Sequence, residues 1–181
     1  MVATGQVASG YHLTSISVYP PVVTVFAPDP AQVNALPGYV ETSSLDLEGA
    51  MENIETRLML ILPPGVTAVG EQSVLVQAGI SAIQSSITLV DQQVEVIGLA
   101  PGLAAQISPP TVDIILSGPL PVLEQLQPAE VHVIIDLTGL TIGTHQVVPH
   151  IELPDDGVSV ESIIPTTLEV ILTQATPTPR P

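Results

Sequence analysis

Two stretches of the chain, SVYPPVVTVFAPDPAQVNAL at 17–36 and QISPPTVDIILSGPLPVLEQL at 106–126, carry one pattern. In each, a Pro-Pro pair leads into alternating apolar residues, and a second proline turn leads into a few residues at helical spacing. The pairs Pro20-Pro21 and Pro109-Pro110 lie 89 residues apart, so the 181-residue chain reads as two copies of one small unit. Each copy must then close within fewer than about 100 residues, a size that buries only about 60–65% of the unfolded surface.

The local chemistry of the pattern is that of strands and turns. Val23, Val25 and Ala27 alternate with Thr24 and Phe26, and Val112, Ile114 and Leu116 alternate with Asp113 and Ile115. A period of two with one apolar face predicts a half-buried strand in each copy. The strands end in Pro28-Asp29-Pro30 and Ser117-Gly118-Pro119. There Asp29 or Ser117 can cap a helix, with Pro30 or Pro119 in a first-turn position that needs no N–H. Val33 and Leu36, or Val122 and Leu126, then predict one or two helical turns, stopped by Pro37 and Pro128.

Further on, Leu45-Asp46-Leu47-Glu48-Gly49 matches Ile135-Asp136-Leu137-Thr138-Gly139, now 90 residues apart. A carboxylate between apolar residues and followed by glycine marks a strand running into a turn, where Asp can accept backbone N–H bonds. Ile61 to Val66 and Ile151 to Val158 both read as strand, turn, strand, with Gly157 in the second turn. Closing strands are expected at 74–78 and 168–172. The whole is expected to be all-β, with one short helical turn per copy. The expected domains are 1–85 and 90–173, with polar residues interrupting at Ser81–Gln93, and the Thr/Pro-rich tail 174–181 is expected to be disordered.

Composition narrows the function. Eighteen acidic residues stand against Arg57 and Arg180, with no lysine, for a net charge of −16. Such a surface repels phosphate, so nucleic acid is excluded as a partner. Phe26 and three tyrosines are the only aromatics, leaving the core to Val, Ile and Leu, and the absence of cysteine excludes disulfides and thiolate chemistry. The longest apolar runs, such as LMLIL at 58–62, fall far short of the ~20 residues of a membrane span. No basic segment precedes an apolar one at the start, so no signal peptide and a soluble chain are expected.

Candidate catalytic and metal-binding groups read more simply as structure. His12, His132, His145 and His150 lack the i, i+4 pairing of a helical zinc motif. Asp155-Asp156-Gly157 has the look of part of a calcium loop but lacks the remaining ligand series, so a turn is expected. Asp46 and Asp136 fall in different copies and cannot form a close acid/base pair. With no lysine there is neither a P-loop nor a Schiff base, and no Gly-x-Ser-x-Gly elbow occurs. The expectation is a protein that is not an enzyme and uses no cofactor or metal. Pro20, Asp46, Gly49, Gly118, Pro119, Asp136, Gly139 and Gly157 are read as turn-forming residues.

These motifs resemble the YbbR-like domain family. Gly5-Gln6-Val7-Ala8-Ser9-Gly10-Tyr11 is similar to the family's opening, with Ile16, Val18 and Pro20 following in register. Ser117-Gly118-Pro119 and Ile135 to Gly139 resemble the middle of a repeat, and Gly157-Val158-Ser159-Val160 its end. The chain departs from the pattern at Ala27-Pro28, where Gly-Pro is usual, and in the shortened opening Gly98–Gly102, which has no tyrosine. The resemblance implies two tandem β-domains like the C-terminal domain of the L25-type ribosomal protein, outside a bacterial membrane and tethered by an N-terminal helix ahead of these residues. It further implies a non-catalytic, extracytoplasmic module whose partners are a membrane diadenylate cyclase, which makes cyclic di-AMP, and other YbbR repeats. The alternative function is a spacer or stalk in the cell envelope.

Overall fold

The structure, a computed structural model, describes residues 2–154 and 157–175. The chain divides into two compact units, Met1–Ile83 and Gln84–Pro181. The first contains β1 (Ala3–Thr4), β2 (Tyr11–Tyr19), β3 (Val25–Phe26), α1 (Pro30–Asn34), β4 (Glu41–Thr42), β5 (Leu45–Asp46), β6 (Ile54–Ile61), β7 (Thr67–Ala68) and β8 (Ser73–Ala82). The second contains β9 (Gln84–Ile97), β10 (Leu103–Ser108), β11 (Thr111–Pro119), α2 (Leu120–Gln125), β12 (His132–Asp136), β13 (Gly143–Val147), β14 (His150–Glu152), β15 (Ser159–Ile164) and β16 (Leu168–Gln174).

The two units repeat one set of pairings. Antiparallel β2–β8 in the first has its counterpart in β10–β16 of the second, β4–β6 in β12–β14, and β3–β7 in β11–β15. The parallel contact repeats as well: Ala3 and Thr4 lie opposite Leu45 and Asp46, as Val96 and Ile97 lie opposite Ile135 and Asp136. In the second unit these strands complete two sheets, ordered β14-β12-β9-β11-β15 and β10-β16-β13.

Alternation builds the second core. Val112, Ile114 and Leu116 of β11, Val133 and Ile135 of β12, and Leu168, Val170 and Leu172 of β16 are buried at every other position. Each such side chain stabilises by about 1.5–3 kcal/mol relative to exposure. The first unit's described cluster is smaller: Leu45, Leu47, Leu58, Val74, Val76 and Ala78. Its stability should therefore be the lower of the two.

Several local expectations are corrected. The polar stretch at Ser81–Gln93 is strand rather than interruption, because β8 ends at Ala82 and β9 begins at Gln84. Ser86 and Thr88 lie at outward positions, while Ile87 and Leu89 pack on the core. At Asp91 (φ 55°) the alternation changes phase, and the Asp91 N–H donates to the Asp113 carboxylate at 3.0 Å; Asp tolerates this left-handed geometry better than most residues. The run Val23–Ala27 yields only the two-residue β3. Asp29 does cap α1, accepting from the Ala31 N–H at 2.9 Å, but Ser117 caps nothing: its hydroxyl bonds Ser159 at 3.0 Å, and α2 begins after Pro119. Pro128 opens a 3-10 turn, Pro128–Glu130, instead of only ending a helix. At the other end, β16 runs through Gln174, and the Ala175 N–H donates to the Gly102 carbonyl at 2.8 Å. The rest of the Thr/Pro tail, and Asp155-Asp156, lie outside the described residues.

Candidate functional site

The most distinctive surface feature is an apolar groove in the first unit between β3 and β4. It is lined by Val23 and Val25 on one side, Val40 and Thr42 on the other, and Val33 and Leu36 of the helical segment above. Of its lining residues, Val22 and Tyr39 are 80% and 62% exposed. The corresponding place in the second unit is built differently. There β9 runs between β12 and β11, and its residues Gln84 to Gln93 pair antiparallel with Pro119 to Thr111. Val112 and Ile114, the counterparts of Val23 and Val25 89 residues on, are buried there. The helices differ in the same sense, since α2 buries Leu123 and α1 buries no residue.

The sequence-predicted turn residues surround this frame without converging. The Asp46 carboxylate accepts from the Glu48 N–H at 3.0 Å, and the Asp136 carboxylate accepts from the Thr138 N–H at 2.8 Å and from its hydroxyl. These hydrogen bonds from Thr138, side chain first and backbone second, hold the Asp136 carboxyl below its ordinary value of 3.8. Gly49 and Gly139 follow at φ 66° and 78°, a left-handed geometry that suits glycine. Gly118 lies in β11, where an added Cβ would stand 2.9 Å from the Gly157 carbonyl oxygen. Pro20 follows a cis peptide bond and lines the groove, and Pro119 ends β11.

Nor do the histidines gather. Among the described residues no cluster of three or more His, Cys, Asp or Glu could hold a metal ion. His12 lies on β2 and His150 on β14, while the His145 ring Nε2 lies 2.7 Å from the Thr141 carbonyl oxygen and donates to it when protonated. His132 Nδ1 sits 2.9 Å from Glu95 Oε1 across the β9–β12 pair. That hydrogen bond, then the charge of Glu95 and more weakly of Glu152, raises the histidine above its ordinary 6.5. The sign follows directly: a raised folded value stabilises below pH ~6.5, and this contribution is lost as pH rises through the folded value. An NMR titration should find His132 titrating above 6.5 and Glu95→Gln lowering it; an unchanged midpoint in the variant would refute the pairing.

The model of the YbbR-like protein family matches residues 86–172. The second unit is a YbbR-like domain. No curated protein matches the chain. Among solved structures, the chain is similar to the YbbR-like domain of the lmo2119 protein from Listeria monocytogenes, with 24% identity, 52% of this chain and 99% of that one covered, and a TM-score of 0.47. It is similar also to protein BH0266 from Bacillus halodurans, at 21% identity, 56% and 86% coverage, and a TM-score of 0.44. A YbbR-like protein from Streptococcus pneumoniae covers 94% of this chain and 92% of its own at 16% identity, with a TM-score of 0.33.

The YbbR-like domain supplies the reference against which the groove becomes visible. Turn motifs alone point to neither Val40 nor Thr42, because each reads as an ordinary strand residue.

Proposed function

We propose that the chain is a non-catalytic interaction module that works on the outer face of a bacterial membrane and regulates a membrane diadenylate cyclase by protein contact. The observation that carries this reading is the YbbR-like match over 86–172, since the best-understood members of that family bind and regulate such a cyclase. Placement outside the membrane rests on the same resemblance alone, since the family's members are tethered there by a separate helix. Exposed strand edges and loops, rather than a reactive cleft, would make the contact. The test is co-expression with a diadenylate cyclase, pull-down, and cyclic di-AMP turnover with and without the chain. A stable complex with altered turnover is expected. No complex and unchanged turnover would overturn regulation in favour of the spacer role that the tandem units also suit.

A further inference from the structure

We propose that the outward face of the first unit's sheet binds the sugar units of a neutral glycan, in a cleft floored by β8. The site lies on the opposite face of the sheet from Val18 and Val74, which line the groove, and it goes beyond the cyclase reading without depending on it.

Alternation sets the face. Ser15 and Ser17 on β2, Gln77 and Gly79 on β8, and Glu55 on β6 point away from the core that Val74, Val76 and Ala78 build. Ser17 pairs with Gln77, Gln77 with Glu55, and Ser15 with Gly79, so these residues and Asn53 line one cleft of about 320 Å³. That lies at the lower end of the roughly 300–1,000 Å³ of small-molecule sites. A register shift between Leu13 and Ser15 brings both Thr14 and Ser15 over Gly79, where an added Cβ would stand 2.6 Å and 2.7 Å from their hydroxyls. The lack of a side chain at Gly79 keeps the floor open.

The polar groups are held in fixed roles. Asn53 Oδ1 accepts from the Ile80 N–H at 2.8 Å, which leaves the Asn53 NH2 to donate. Gln77 Nε2 donates to Glu55 Oε2 at 2.7 Å, which leaves Gln77 Oε1 and Glu55 Oε1 to accept. The Ser15 and Ser17 hydroxyls do both. A ligand that answers this set carries several hydroxyls, each able to donate and accept, on a ring small enough for the cleft. Tyr19, 73% exposed, holds the next outward position on β2 after Ser17 and offers a flat apolar surface with a polar tip. Charge disfavours an acidic sugar: Glu55 carries the charge of the cleft, and Arg57 on the same face is engaged with Glu71 at 2.8 Å.

The second unit shows that the shared fold does not require these residues. Ile171 pairs with Gln106 and Thr144 as Gln77 pairs with Ser17 and Glu55, and Thr173 pairs with Ala104 as Gly79 pairs with Ser15. There the floor carries side chains, and the amide and the carboxylate are gone.

The probes are chitotetraose and cellotetraose, each titrated into the full chain and followed by NMR. At least one should shift the amides of Ser15–Ser17, Asn53–Glu55 and Gln77–Gly79, together with the side-chain NH2 signals of Asn53 and Gln77. Gly79→Thr and Gln77→Ile install what the second unit carries at these places, and each should weaken binding about tenfold. A tetramer of galacturonic acid should bind about threefold or more weakly than the neutral probe. Because the shift map uses the unaltered chain, the test survives a misfolded variant. No shift with either neutral probe, shifts centred elsewhere, equal shifts with a polyethylene glycol of similar length, or binding that both variants leave unchanged would overturn the inference.

Discussion

Replacing Ile114 by alanine should destabilise the second unit by about 2–5 kcal/mol, the range for truncating a fully buried aliphatic side chain. Ile114 is 0% exposed at the centre of the cluster formed with Val112, Leu116, Val133, Ile135, Val170 and their neighbours, so a cavity there has little freedom to collapse. Domains are stable by only about 5–15 kcal/mol in total, and the loss could consume much of that. Residue-resolved urea denaturation reads the two units apart. A matched pair isolates the cause: Val112→Ala removes the same atoms as Val23→Ala, its counterpart 89 residues earlier. Since Val112 is sealed under β9 and Val23 borders the groove, the first should cost clearly more. Equal losses would mean that the groove walls are as tightly packed as the core.

Gly98→Ala should cost about 2–4 kcal/mol, the second of the large effects. Gly98 has φ 72°, and an added Cβ would stand 2.8 Å from the backbone nitrogen of Thr138 and closer still to the Thr138 hydroxyl and the Asp136 carboxylate. Those are the groups of the Asp136 turn, so the substitution strains the chain and pushes apart the hydrogen bonds that lower the Asp136 carboxyl. Gly102→Ala is the control. At φ 80° it has the same left-handed backbone but meets nothing within 4 Å, leaving about 1–2 kcal/mol of conformational strain alone. Denaturation should separate the two variants, and the Asp136 titration should move up towards 3.8 in Gly98→Ala only. Indistinguishable stabilities would show that the close approach contributes nothing.

These two predictions rest on different kinds of legibility. The alternation at Val112–Leu116 could be read as a strand because a side-chain period of two is a local property, and so could the Asp-then-Gly turns at 46–49 and 136–139. Asp29 was likewise readable as a cap, whereas Ser117 was not. Both residue types can cap, but a hydroxyl in reach of Ser159 on β15 bonds across the sheet instead, and no local rule knows that β15 lies there. The stretch Ser81–Gln93 failed for a related reason. Polar residues on the outward face of a central strand look like a break until Ile87 and Leu89 are seen to face inward.

What the residues determined unaided was the duplication, the β-rich character, the proline and glycine bends, and the net charge of −16, because each depends on neighbours in sequence or on composition alone. Only the tertiary structure decided which strands lie side by side, and that β9 lies between β12 and β11. Strand pairing joins residues far apart in the chain, so the neighbour a strand acquires has no signature in the letters on either side of it.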